Sequence, residues 1–297
     1  MRTNVRVQGA GTVALETAVL THGLPPPLNL STMLQMADAV RAVGAMPASI
    51  AVLQGVPTVG LTPEELHALA QQTDAHKIAR HNLTLAIALG WTGGTTVSAT
   101  LLIAHHAARL ALMATGGIGG VHRNDRYDIS ADLFTLAQTP SLVVCSGAKA
   151  ILDLPATREM LETLGVPVVG YRTDEMPGFY TPHTGCSVDA VVHSPEQAAL
   201  LWLRHQATGS GSGMLLVQPP PAGWSLDARE LEEMLVQATR EAEQQGVRGG
   251  ALTPWLLQRL SELSHGRTLQ VNLALLTENA RLAAHIACIL QQAEDPP

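Results

Sequence analysis

The chain has 297 residues, 46% hydrophobic and only 3% aromatic, so Ala, Leu and Val must fill its core, which suits helices packed on a buried sheet more than a β-sandwich. A formal net charge of −7 argues against a nucleic-acid polymer as partner, because phosphate backbones need dense Lys and Arg. Three cysteines (Cys145, Cys186, Cys288) without paired spacing imply neither a disulfide framework nor a zinc knuckle and suit a reducing cytoplasm, and neither a signal core at Met1–Gly11 nor an uninterrupted apolar run of membrane-spanning length is expected.

In chain order, Val13 to Ala18 reads as a short strand that carries Glu16 in an apolar context. A carboxylate there either faces water from an edge strand or has a chemical reason to be buried. Thr21-His22-Gly23 and Pro25-Pro26-Pro27 then turn the chain. Met33, Ala37 and Val40 fall at helical spacing ahead of Gly44, and Ser49 to Leu53 reads as the next strand. Thr62-Pro63-Glu64-Glu65 is a capping box that starts a helix.

Asp74 to Asn82 is charged, with Lys77 and Arg80 between apolar segments. Gly93-Gly94-Thr95-Thr96 opens the apolar stretch Val97 to Leu112, and free amides at such a glycine-rich helix start can cradle phosphate, although the P-loop pattern is absent. A strand over Leu110 to Ala114 leads into the densest part of the sequence, Thr115 to Asp132. That loop holds four glycines, His122, Arg123 and carboxylates that include Asp128 and Asp132, a composition suited to a close-approaching ligand, a metal or an anion, with Ser130 also placed to cap a helix.

Leu133 to Gln138 reads as a short helix and Leu142 to Cys145 as a strand, after which Ser146-Gly147-Ala148-Lys149 places a lysine where a strand hands over to the next element. Such an amine can be desolvated into a nucleophile, or can simply sit on the surface. Val166 to Gly170 is a further strand, again with an ionisable end. Glycine or ionisable residues at strand ends, with plain helices between, are the pattern of an open α/β sheet that binds ligands at the carboxyl ends of its strands. Pro195 to His205, a helix from Leu226 to Gln245 capped by Ser225, one from Thr253-Pro254, and a last one over Asn272 to Gln291 fill the second half, around a strand at Met214 to Val217. Asn272 and Asn279 interrupt that last apolar helix, and a buried Asn must find partners in the fold or in a ligand.

Ala14-Leu15-Glu16-Thr17, Thr21-His22-Gly23, Lys77 with Arg80, Gly94-Thr95-Thr96-Val97, Thr115 to Arg123, Asp128 to Leu133, Gly147-Ala148-Lys149, and Gly170-Tyr171 with Phe179-Tyr180 together resemble the pseudouridine-5′-phosphate glycosidase family. The resemblance continues through Thr253-Pro254 and Asn272 to Ala284, covering nearly the whole chain as a single domain, residues 1–297. It implies a three-layer α/β/α sandwich around a mainly parallel sheet, a homotrimer, a cytoplasmic location and a divalent metal, commonly Mn²⁺. The implied reaction is reversible cleavage of pseudouridine 5′-phosphate by water into ribose 5-phosphate and uracil. By motif, Glu16 is similar to the proton donor, Lys149 to the covalent nucleophile and Asp128 to the metal ligand, with His122 beside them. Lys77, Val97, Ser130, Ala131, Asp132 and Asn272 resemble substrate-binding positions. Three departures from the family pattern, the segment Lys77 to Asn82, a short loop between Arg123 and Asp128, and Thr17-Ala18 in place of the commoner Ser-Thr after the glutamate, bear on affinity and loop closure.

The chemistry accounts for these residue types. Pseudouridine joins its sugar to uracil through a carbon–carbon bond, so a pair of carboxylates acting on a leaving oxygen has nothing to protonate. An amine whose imine serves as an electron sink, together with an acid kept protonated by burial, supplies another path. Two other readings share these residues: a lysine-imine lyase or aldolase acting on a sugar phosphate, and a non-catalytic nucleotide-binding relative.

Overall fold

The computed structural model describes residues 3–123, 127–247 and 252–294. β1 (Asn4–Val5) and β2 (Thr12–Leu15) lead into a π-helical turn, Val19–Gly23, then α1 (Leu28–Val43), β3 (Met46–Leu53), β4 (Val56–Val59) and α2 (Pro63–Gln71). β5 (His76–Ile78), a 3₁₀ turn (Arg80–Asn82), α3 (Leu83–Ala88), β6 (Gly93–Thr95) and α4 (Val97–Ala108) complete the first half. The second half runs β7 (Leu112–Ala114), β8 (Val121–His122), α5 (Ala131–Gln138), β9 (Leu142–Cys145), β10 (Leu152–Asp153), α6 (Leu154–Thr163), β11 (Val168–Tyr171), β12 (Ala190–Val192), α7 (Pro195–Ala207) and β13 (Met214–Val217). α8 (Ala228–Gln244), α9 (Leu252–Leu263) and α10 (Arg267–Glu294) follow.

Among the described residues one large sheet has the order β1-β4-β3-β2-β7-β9-β13-β11-β12, with β6 against β3 and β5 against β6. Pairing from β3 through β2, β7, β9, β13, β11 and β12 is parallel throughout; β3 meets β4 and β6 antiparallel. The central strands Leu142–Cys145 and Met214–Val217 are buried at every residue, as continuous apolar strands covered on both faces should be. α1 and α10 pack together, α10 lying on β2, β7 and β9, while α4 packs on α5 and on β2 and β3. The expected α/β/α sandwich is therefore present.

Local signals explain most boundaries. α1 stops at Gly44, whose φ of +96° only glycine adopts freely. At α2 the Thr62 hydroxyl accepts from the Glu65 amide (3.2 Å) and the Glu65 carboxylate from the Thr62 amide (2.9 Å), closing the capping box.

Four expectations shift. β2 ends at Leu15, so Glu16 is the first residue beyond a central strand and not part of an edge. Gly93 and Gly94 form strand β6, with the helix starting at Val97. α8 is capped by Asp227, which accepts from the Arg229 and Glu230 amides (2.9 and 3.1 Å), and Ser225 lies outside it. α10 begins at Arg267, because Ser264 Oγ accepts from the Thr268 amide at 3.1 Å just after a break at His265 and Gly266. By length and composition the α10 stretch Arg267–Ala293, mean hydropathy 1.3, is sufficient to cross a membrane, yet 56% of its apolar window is buried inside the protein against the sheet and α1. It is a core helix here. The three cysteines are free.

Candidate active site

β2, β7 and β9 are adjacent and parallel, so their carboxyl ends open on one edge of the sheet. Leu15 pairs with Ala114, and the next residues of each strand, Glu16 and Thr115, emerge side by side. The Thr115 hydroxyl donates to Glu16 Oε1. The chain passes from β2 to β3 on one side and adds β7 on the other, so this pair stands at the topological switch point, where open α/β sheets leave a crevice.

Lys149 enters the same crevice from the turn after β9. That turn is laced to the glycine segment after β7: the Ser146 amide donates to the Gly116 carbonyl (2.8 Å), the Ile118 amide to the Gly147 carbonyl (3.0 Å) and the Lys149 amide to the Ile118 carbonyl (3.1 Å). The lacing needs glycine. A Cβ on Gly117 would stand 2.6 Å from the Phe179 ring, and Gly147, at φ +79°, would drive one to 1.9 Å from the Pro177 carbonyl. The first glycines of the Thr115–Asp132 segment thus bring two strand ends together and form the cleft wall.

Lys77 reaches the cleft from β5, Asn272 from α10, and α9 leans over it through Thr253, Pro254 and Leu257. Glu16, Lys77, Lys149 and Asn272 therefore share one cleft.

Glu16 is 7% exposed, and burial raises its pKa above the ordinary carboxylate value, although the charge of Lys149 and the Thr115 hydrogen bond pull against that rise. Lys77 is pushed in the opposite direction, held below the usual lysine value by burial and then by the charge of Lys149, with Asp132 and Glu16 opposing. His22, also on the cleft wall, has its pKa lowered chiefly by burial and sits 2.7 Å from Thr21 Oγ1 through Nδ1. A carboxyl whose pKa is raised beside an amine, Lys77, whose pKa is lowered is an acid–base arrangement.

Other expected site residues stand behind this wall. Asp132 accepts from the Ser98 amide near the start of α4 and from the Gly119 amide, both at 2.9 Å, tying that helix to the glycine segment. Ser130 caps α5 by accepting from the Asp132 amide (3.2 Å), Ala131 is the first residue of α5, and buried Val97 is the first of α4. The Thr95 and Thr96 amides donate to Thr17 Oγ1 (3.1 Å) and the Ile78 carbonyl (2.8 Å), so both are already used within the fold. Asp128 lies apart from the cleft lining with its side chain 46% exposed and His122 Nε2 3.9 Å away. Most of the short Arg123–Asp128 loop lies outside the described residues.

The sequence assigned no site role to Thr115, His22, Phe179 or the α9 residues. Thr115 had a usable signal, a hydroxyl one residue past a strand paired with the strand that precedes Glu16. Phe179 and the α9 residues Thr253 and Pro254 stood only as parts of family-like blocks, since their place at the site depends on how distant segments fold over the cleft.

The fold and cleft define an α/β enzyme with a buried acid and a lysine beyond the carboxyl ends of its parallel strands and a second lysine on β5. Residues 3–289 match the family described as Indigoidine synthase A like protein. The chain is 49% identical over 286 residues to a pseudouridine-5′-phosphate glycosidase of Herpetosiphon aurantiacus, covering 96% of this chain and 94% of that protein. With the one from Thermus thermophilus it shares 53% over 278 residues, 94% of this chain and 97% of the other. Among solved structures, the indigoidine synthase A-like protein from Thermotoga maritima superposes with a TM-score of 0.91 at 34% identity, covering 98% of this chain and 97% of that one. The prealnumycin C-glycosynthase AlnA in complex with ribulose 5-phosphate does so with 0.88 at 33%, covering 96% and 93%. The chain belongs to the pseudouridine-5′-phosphate glycosidase family.

Proposed function

We propose that this enzyme cleaves the carbon–carbon glycosidic bond of pseudouridine 5′-phosphate, with water, to ribose 5-phosphate and uracil, and runs the reverse reaction when those products accumulate. The observation that carries the reading is the convergence of a buried Glu16, its pKa raised by burial, with Lys149 in one cleft. Among the described residues lining that cleft Glu16 is the one carboxylate, which leaves a two-carboxylate glycosidase without its second member and favours an amine nucleophile. The names of the relatives and the open-chain pentose phosphate bound to AlnA support the same substrate class.

In the proposed sequence Glu16 gives its proton to the ribose ring oxygen as the bond between that oxygen and the anomeric carbon opens. The Lys149 amine uses its lone pair to form a bond to the anomeric carbon, and the nitrogen then returns a proton to the Glu16 carboxylate. The lone pair so regained becomes the second bond of an imine as the bond to uracil C5 breaks, and the electron pair left on C5 takes that proton from Glu16 to give uracil. Water adds to the imine carbon, the carbon–nitrogen bond breaks, and ribose 5-phosphate leaves with Lys149 restored. Lys77, with the start of α4 at Val97, is assigned to the phosphate, and Asn272 to the sugar hydroxyls.

The divalent ion, taken as Mn²⁺, is assigned to Asp128. Asp128, half exposed and with His122 Nε2 3.9 Å from its carboxylate, offers one open carboxylate, which suits a hydrated cation held largely by its waters. When bound, the ion would supply positive charge able to stabilise negative charge developing on the leaving ring. A homotrimeric, cytoplasmic protein completes the reading, and light scattering tests the trimer.

Purified protein incubated with Mn²⁺ and pseudouridine 5′-phosphate tests the whole. Uracil release supports the glycosidase, cleavage within the sugar identifies a lyase, and ligand stabilisation without turnover identifies a binder.

A further inference from the structure

Asn279 lies in α10 with its surface fully buried, and the reaction above leaves it without a role. Its Nδ2 donates to the carbonyls of Thr115 (2.8 Å) and Gly116 (3.4 Å) and reaches Ser146 Oγ at 3.2 Å. Its Oδ1 accepts from Gln218 Nε2 at 2.8 Å. One amide therefore holds the chain at the carboxyl ends of β7, β9 and β13 together.

Each grip leads to a reacting group. The Thr115 carbonyl belongs to the residue whose hydroxyl donates to Glu16, so tilting that peptide moves the hydroxyl. Gly116 accepts from the Ser146 amide, and Ser146 begins the turn that carries Lys149. The surrounding apolar faces of α10 and the strands supply attraction without direction, whereas a buried amide satisfied on both sides has a single workable arrangement. We infer that Asn279 is a positioning residue: without touching substrate, it sets the Thr115 hydroxyl against Glu16 and the Ser146–Lys149 turn across from them. The inference rests on the functional reading above for its chemistry.

The test compares native protein with Asn279→Ala, Gln218→Leu and a control in the same helix, Ile286→Val, measuring kcat, KM, the pH profile of kcat/KM and thermal unfolding. The Glu16 carboxyl is titrated by carbon NMR in parallel, without substrate. Asn279→Ala should lower kcat by about 10- to 100-fold, the scale of about an ångström of misplacement, with KM changed by less than about threefold. Loosening the hydrogen bond that favours the Glu16 carboxylate should also move its titration and the alkaline limb of the profile to higher pH. Gln218→Leu should shift both readouts in the same sense by less, and Ile286→Val should lower only the unfolding temperature. A folded Asn279→Ala, or Gln218→Leu where that variant does not fold, with unchanged kcat and Glu16 titration would reduce Asn279 to a structural contact and overturn the inference. Failure of the native protein to release uracil would strike the functional reading instead, and the Glu16 titration alone would then decide.

Discussion

Glu16 directly follows β2 and Lys149 follows β9 by a short turn, and only β7 lies between those two strands, so their carboxyl ends stand two strand spacings apart, roughly 10 Å. The strand between them provides Thr115, which binds the acid, and the glycines, which let the lysine turn pack close.

Lys149→Ala should abolish uracil release while leaving the thermal unfolding transition and Mn²⁺ binding in place. Borohydride added with ribose 5-phosphate should trap a mass adduct on Lys149 in the native protein. Mapping the adduct to Lys77 instead would move the covalent step to the other amine of the cleft.

Glu16→Gln should lose about 10²- to 10⁴-fold in kcat, the usual contribution of a general acid. Activity of the native enzyme should fall as pH rises through the raised Glu16 pKa, and that limb should vanish in the variant. Stability carries the same sign. Below the unfolded carboxyl value, near 4.5, Glu16 is protonated in both states, whereas above it the unfolded chain ionises first and the native fold loses ground until its own Glu16 ionises. Urea melts from acid to neutral pH should show Glu16→Gln gaining on the native protein across that window and level beyond it; a constant difference would contradict a raised pKa.

Gly94→Ala should destabilise the fold by about 1 to 3 kcal/mol, the range for overpacking. A Cβ there would lie 2.3 Å from Thr21 Oγ1 and 2.5 Å from the Thr17 carbonyl, and the backbone that must yield follows directly on Glu16. Chemical denaturation measures the loss, and activity should fall with it. An unchanged midpoint would mean that this strand can shift without cost.

Asp128→Asn should raise the Mn²⁺ concentration needed for half-maximal activity by about tenfold or more, since a neutral amide replaces the carboxylate of a water-rich site. Titration of metal into metal-stripped enzyme gives the number. An unchanged requirement would move the metal to other residues.

The sequence by itself determined the layer order and the chemical inventory. Continuous apolar strands such as Leu142–Cys145, the capping box at Thr62 and the glycine stop at Gly44 are local signals, and each fixes an element without reference to distant chain. Glu16, Lys77, Lys149 and Asn272 were legible as residue types placed in recognisable blocks and at element ends. Only the tertiary structure decided which groups meet. Strand order put β7 between β2 and β9, burial raised the pKa of Glu16, and long-range hydrogen bonds tied Asp132 and Asn279 into the strand ends and helix starts around it. Gly93 and Gly94 show the limit most clearly, because a glycine needed for close strand packing and a glycine cradling phosphate look alike until the neighbouring backbone is in place. Local propensity acts over a few residues, whereas desolvation and side-chain pairing depend on segments brought together from across the whole chain.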